Sequence, residues 1–294
     1  MKKLFNKSIA MLMVLSMLLG TFSAMSVFAQ NNVNYAKADF DNATVAEGAY
    51  EGMTFAHEIS KGNKNGTPSL AKSDVPYYGT MLKFDQVAST ASSDNLQFMA
   101  FTLDEGIVIG ENAPENSYAE FSADVKLQNK KTGINFEIRN KEQAATAYIY
   151  RLNIRANGEL FSNNVSNGVF APAGTNGEFN NLRFRVDLKN KTVVGIYVDD
   201  VLLADLSQAP IALNSGTYET LDVFKICIGS KDKADTLYID NVNVVTYTSE
   251  DGTSKVANKT ALRAKLAEFA GVGLIGSAKV TFDNAVVLAK NPAA

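Results

Sequence analysis

Charged and polar residues, five of them arginines, recur at every second position in three stretches of this chain, and that spacing aims the side chains at a common face. Glu137 and Arg139 form the first set, Arg151, Asn153 and Arg155 the second, and Arg183, Arg185 and Asp187 the third. If the three stretches are neighbours in one sheet, five arginines converge on its wet face. Arginine forks hold carboxylates and sulfates at two points, so the chemistry this pattern predicts is recognition of an acidic polysaccharide. The plainer alternative is cross-strand ion pairing with Glu137 and Asp187, worth only about 0.2–1 kcal/mol per pair.

Other residue types narrow the chemistry further. Sugars are held by aromatic faces together with polar groups that fix orientation. The chain contains no tryptophan, so tyrosine must supply any platform. Tyr148 and Tyr150 share parity with Leu152 and Ile154 and are expected in the core, which leaves Tyr77 and Tyr78 in a loop as the freer pair. The single histidine, His57, lies in the strand-like run Met53–Ile59 and reads as a polar strand residue. Cys227 sits in the apolar run Val223–Ile228, where a thiol packs as a small apolar group. No Gly-x-Ser-x-Gly elbow is present. Glycoside hydrolysis asks for two carboxyls about 5–10 Å apart. Glu120 and Asp124 share a face and are the alternative catalytic pair, although alternating acids are ordinarily a strand's solvated side.

The elements that must position these residues are strands. Apolar residues alternate with polar ones through Ala119–Leu127, Ile134–Ile138, Tyr148–Ile154 and Leu182–Leu188. Period two gives each strand a buried and a wet face, the signature of antiparallel sheets. Asn157-Gly158 and Asp199-Asp200 sit between strand-like runs as tight hairpin turns. Further strands are predicted over Met53–Ile59, Thr80–Asp85, Leu96–Leu103, Leu221–Gly229 and Thr236–Tyr247, with Ser60–Pro76 as a polar loop. About a dozen short strands with polar turns predict an all-β, two-sheet antiparallel sandwich.

Both ends of the chain differ from this middle. A basic head (Lys2, Lys3, Lys7), an apolar run from Ile9 to Leu19 and small residues up to Ala29 have the three parts of a secretory signal, so residues 1–29 are expected to be removed and the chain secreted. The apolar run is shorter than the ~20 residues that cross a bilayer, so no stable membrane insertion is expected afterwards. Without the signal, Lys+Arg falls to 25 against 31 Asp+Glu, a net charge of −6. An acidic chain is poorly suited to nucleic acid, whose binding needs positive charge to release counterions. The sandwich is expected over 30–248, followed by a polar linker at 249–257 and a helical segment at 258–294. In that segment Leu262, Leu266 and Phe269 share one face, and residues 281–290 suit a second helix.

Leu182–Asp187 followed by Val194–Leu203, with the closing run Thr236–Val244, resembles the concanavalin A-like and laminin-G-like jelly-roll modules of bacterial secreted proteins. The glycine usual in their hairpin is Asp200 here. The resemblance implies a jelly roll. It also implies a comparison with hydrolases that carry Glu-x-Asp-x-Glu on one strand, where Glu120 and Asp124 match the ends and Ser122 replaces the middle acid. Related sandwiches tie their first and last strands with a structural Ca2+, for which Asp39, Asp41 and Asp240 are the matching oxygen donors. Asn258–Leu266 and Ala285–Pro292 are similar to the opening and end of FIVAR, a small helical repeat of large Gram-positive surface proteins, which implies a piece or shortened relative of a longer surface protein. Together these point to a non-catalytic carbohydrate-binding or adhesion module at the cell surface. A glycoside hydrolase or polysaccharide lyase on the same fold is the alternative, and a structural spacer the second.

Overall fold

A computed structural model describes residues 34–59, 62, 65–73, 78–92, 96–129, 132–142, 147–163, 165–169, 179–256, 266, 282–287 and 290. The expected signal, Tyr77 and most of the FIVAR-like segment lie outside the described residues.

Among the described residues, seventeen strands form two antiparallel sheets, the sandwich that the alternation predicts. Sheet A runs β14 (Val201–Asp205), β13 (Thr192–Val198), β12 (Asn180–Asp187), β7 (Ser117–Leu127), β17 (Asp235–Thr248), β5 (Thr80–Gln86) and β4 (Pro68–Lys72). On its flanks β1 (Asn34–Ala38) pairs with β17 and β15 (Ile211–Ala212) with β13. Sheet B runs β11 (Val165–Val169), β10 (Glu159–Ser162), β9 (Tyr150–Ile154), β8 (Ile134–Arg139), β16 (Thr220–Ile228), β6 (Gln97–Val108), β3 (Met53–Ile59) and β2 (Gly48–Tyr50). The segment expected as a loop over Ser60–Pro76 therefore contains a strand. Leu70 packs partly against the core, and Pro68, which cannot donate to a ladder, sits on the edge strand where that costs least.

Aromatic rings weld the two sheets. Phe121 and Phe184 of sheet A stack at 5.4 Å, and Phe224 of sheet B meets Phe121 at 5.6 Å and Phe136 at 5.8 Å. Tyr150 is fully buried in this core, as its parity requires, and its hydroxyl pairs with Ser162 at 2.8 Å. Tyr148 precedes the strand instead and stacks beneath Arg151. Rings in such offset and edge contacts add about 0.5–1.5 kcal/mol per pair beyond their buried area.

The two predicted hairpin turns exchange mechanisms. Asp199 and Asp200 both have positive φ, 50° and 65°, as a two-residue turn of the primed type needs. No glycine is required because the Asp199 carboxylate accepts hydrogen bonds from the Asn180 side chain at 2.7 Å and the Asn181 N–H at 2.8 Å. At Asn157-Gly158 only Gly158 is left-handed, at 81°. There the Arg155 N–H reaches the Glu159 carbonyl at 2.9 Å across a three-residue loop.

In the C-terminal segment, residues 282–287 are helical, with Phe282 and Ala285 buried, and the buried Leu266 and Lys290 are also helical. Leu262 and Phe269 of the expected apolar face lie outside the described residues.

Candidate functional site

The arginine stretches do not converge. Glu137, Arg139, Arg151, Asn153 and Arg155 belong to β8 and β9 or their margin in sheet B, whereas Arg183 and Arg185 belong to β12 in sheet A. The outer faces of a sandwich point away from each other, so the set forms two separate clusters. Sequence parity fixes a residue's face within its strand but not which strands are neighbours. Nor are these outer faces wet: Glu137, Arg139, Arg183 and Arg185 are all buried.

On sheet B the register sets Glu137 opposite Arg151 and Asn135 opposite Asn153. Glu137 is completely buried. It accepts from Arg139 Nε at 2.9 Å on one oxygen and from Arg151 Nε at 2.8 Å on the other. A buried carboxylate held by two guanidinium groups is costly to break from either side. Arg139 also lies over Phe98, 4.8 Å from the ring centre, and Lys225 pairs with Glu58. The face opens toward β9 and β10. Arg151 rests on Tyr148 at 3.9 Å with its side chain 26% exposed, and Arg155 rests on Phe161 at 3.7 Å with 54% exposed. Asn153, half-buried between them, hydrogen-bonds Asn135. Cys227 lies in the closed part of this face, opposite Asn135, and burial pushes its thiol far above the ordinary range.

Sheet A closes over its carboxylates. Glu120 is held by Arg183, by the Tyr247 hydroxyl and, at 2.6 Å, by the Ser254 hydroxyl from the linker. Arg183 and Arg185 lie flat on Tyr197 and Tyr118, each at 3.9 Å. Burial pushes Tyr247 well above its ordinary range, and the Glu120 charge adds to it. Asp124 accepts from the side-chain amides of Asn181 at 2.8 Å and Asn241 at 2.7 Å. Glu120 and Asp124 are each 1% exposed and four residues apart along one strand, about 13 Å at the usual rise.

The remaining candidates are dispersed. Tyr78 stacks on Phe179 at 4.0 Å, and Phe179 meets Tyr238 edge-on at 6.4 Å, with Lys126 beside both rings. His57 is buried, with Nε2 2.8 Å from Gln97 Oε1 and its ring 5.3 Å from Phe84. Asp39 pairs with Lys37 at 2.7 Å. Asp41 and Asp240 come together, but around an ammonium: Lys290 Nζ is 2.7 Å from Asp41 and 3.6 Å from Asp240. Desolvation holds the Asp240 carboxyl well above its ordinary range, Lys290 opposes that shift, and the Asp124 charge adds to it. The three acids implied as calcium donors thus do not share one open position. Lys290, Ser254 and Phe161 escape sequence reasoning because their roles depend on contacts between segments with no common periodicity, whereas Tyr148, expected in the core by parity, lies under Arg151 instead.

No family model matches the sequence, and no curated protein matches it. Among solved structures, the chain is similar to a sialidase at 11% identity and TM-score 0.46, over 84% of this chain and 22% of that one. It is similar to a winged bean acidic lectin complexed with methyl-α-D-galactose at 11% identity and TM-score 0.42, over 74% of this chain and 99% of the lectin. It is also similar to the alginate lyase AlyC3 in complex with dimannuronate, at 10% identity and TM-score 0.39, over 58% of this chain and 76% of the lyase. The chain spans about a fifth of the sialidase it matches.

Proposed function

We propose that this chain is a secreted or cell-surface, non-catalytic carbohydrate-binding or adhesion module of the concanavalin A-like kind, and that it takes acidic polysaccharide. The observation that carries the reading is the row Arg151, Asn153 and Arg155 on the open side of sheet B, with its two guanidinium groups supported by Tyr148 and Phe161. Stacking on a ring restricts a guanidinium, which lowers the ordering cost of gripping a carboxylate or sulfate with the donors that Glu137 does not already take from Arg151. Burial of Glu120 and Asp124 under Arg183, Tyr247 and Ser254 supports a structural use of that pair rather than hydrolysis. Among the described residues no helix is long and apolar enough to cross a membrane. The segment after 258 serves in this reading as a spacer of the FIVAR kind.

The test is a glycan array of neutral, uronate and sulfated glycans, probed with the full chain with and without calcium. Selective retention on acidic glycans is expected, and Arg151→Ala with Arg155→Ala should weaken it about 10- to 100-fold, the value of one or two charge-assisted contacts. Binding to neutral glycans alone would overturn the arginine row and move attention to Tyr78. Turnover abolished by Glu120→Gln would make the protein an enzyme.

A further inference from the structure

Asp41 and Asp240 meet around the ammonium of Lys290. β17 loses register with β7 between Asp240 and Asn243, and Asn241 adopts a left-handed φ of 47° in that bulge. The irregularity concentrates polar side chains in a dry place. Asp240 is completely buried, Asn241 is 2% and Asn243 6% exposed. Among the described residues, the carboxylate oxygens of Asp240 and the side-chain oxygens of Asn241 and Asn243 accept no well-formed hydrogen bond, although Lys290 at 3.6 Å and the Asn241 backbone favour the Asp240 charge. The amide nitrogens are engaged, Asn241 with Asp124 and Asn243 with the Asn241 carbonyl, which leaves the oxygens as the free ends. Buried acceptors without donors are rare in folded proteins, and oxygens alone are the donor set of a hard cation.

Positive charge reaches this place from the far end of the chain. Lys290 is 4% exposed, and its ammonium bridges Asp41 and Asp240 across about 250 residues of sequence separation from Asp41. Asp41 is fixed for the purpose by the Thr80 N–H, which donates to its other oxygen at 3.0 Å. An ammonium is a compact point charge with three donors, and at 3.6 Å it leaves the Asp240 oxygens without a well-formed hydrogen bond. A divalent ion of the calcium type takes six to eight oxygens and would use more of them.

We propose that the Asp41–Asp240 pocket is a cation site which this chain fills with its own Lys290, so that the C-terminal segment and a hard divalent cation compete for one position. The lysine holds the site because its tether gives it a high effective concentration there. The site therefore fixes the C-terminal segment to sheet A without metal.

Calorimetric titration with CaCl2 and thermal unfolding of the full chain test this. Wild type and Lys290→Arg should be indifferent to calcium and to a chelator. Lys290→Gln should bind calcium at least tenfold more tightly than wild type, and its unfolding midpoint should rise by about 3 °C in about 1 mM calcium, the order expected from ligand linkage in a domain of this size. Adding Asp240→Asn should abolish that gain. If Lys290→Gln unfolds in chelator, recovery on adding calcium is the same result in stronger form, and failure to recover overturns the proposal. Loss of wild-type stability in chelator, or a Lys290→Gln protein that gains no calcium binding, also overturns it.

Discussion

The outer faces of the two sheets are built from the same residue types and end in different states. Each has a buried glutamate held by arginines that lie on aromatic rings: Glu120 with Arg183 on Tyr197 in sheet A, and Glu137 with Arg151 on Tyr148 in sheet B. On sheet A the linker completes the closure, because Ser254 donates to Glu120 and the Ser249 N–H bonds the Asn116 carbonyl. On sheet B the cluster runs out to the β9–β10 margin, where Arg151 and Arg155 reach solvent. An arginine–carboxylate cluster therefore becomes a structural seal or an open edge according to what crosses it, not according to its composition.

The largest expected effect tests the seal. Glu120→Ala takes the acid from buried Arg185, 3.9 Å away, and leaves buried Arg183 with Asp200 at 3.5 Å as its acid, and should cost about 3–5 kcal/mol in denaturant unfolding. Glu137→Ala should cost less, about 2–4 kcal/mol, because the partly exposed Arg151 can turn to water while Arg139 cannot. Equal losses would dissolve the distinction between a sealed and an open face.

An intermediate effect concerns buried tyrosines. Burial raises Tyr50 to about 12, with the Asp39 charge adding to it, and raises Tyr150 and Tyr247 further. A raised folded value means that the contribution is complete below the unfolded value of about 10 and is lost as pH climbs through the folded one. Stability measured against pH should hold up to about 10 and then fall, and Tyr50→Phe should flatten the first part of that fall, between about 10 and 12. A fall beginning near neutrality would contradict it. The smallest effect belongs to the open edge: Arg155→Ala, whose pairing with Glu159 is exposed, should change stability by no more than about 0.5 kcal/mol.

Strand positions were largely legible because period two is a local property. Met53–Ile59 is a strand over the predicted residues, and Leu221–Gly229 and Thr236–Tyr247 differ from the observed strands by a residue or so. The short strands β1, β2, β4 and β15 were not legible, since two to five residues carry too little alternation to separate from a loop. The candidate site was legible only in part. Arg151, Asn153 and Arg155 share a face as their spacing requires, but their separation from Arg183 and Arg185 follows from strand order.

By itself the sequence determined the class of fold, the face on which residues of the regular strands point, and the aromatic core. Those follow from the hydrophobic effect acting on a two-residue repeat. Only the tertiary structure decided that both outer faces are largely dry, that the arginines divide between two sheets, and that Lys290 meets Asp41 and Asp240. The reason is physical. Desolvation and charge pairing depend on which distant segments are brought within a few ångströms, and no local pattern in the chain encodes that neighbourhood.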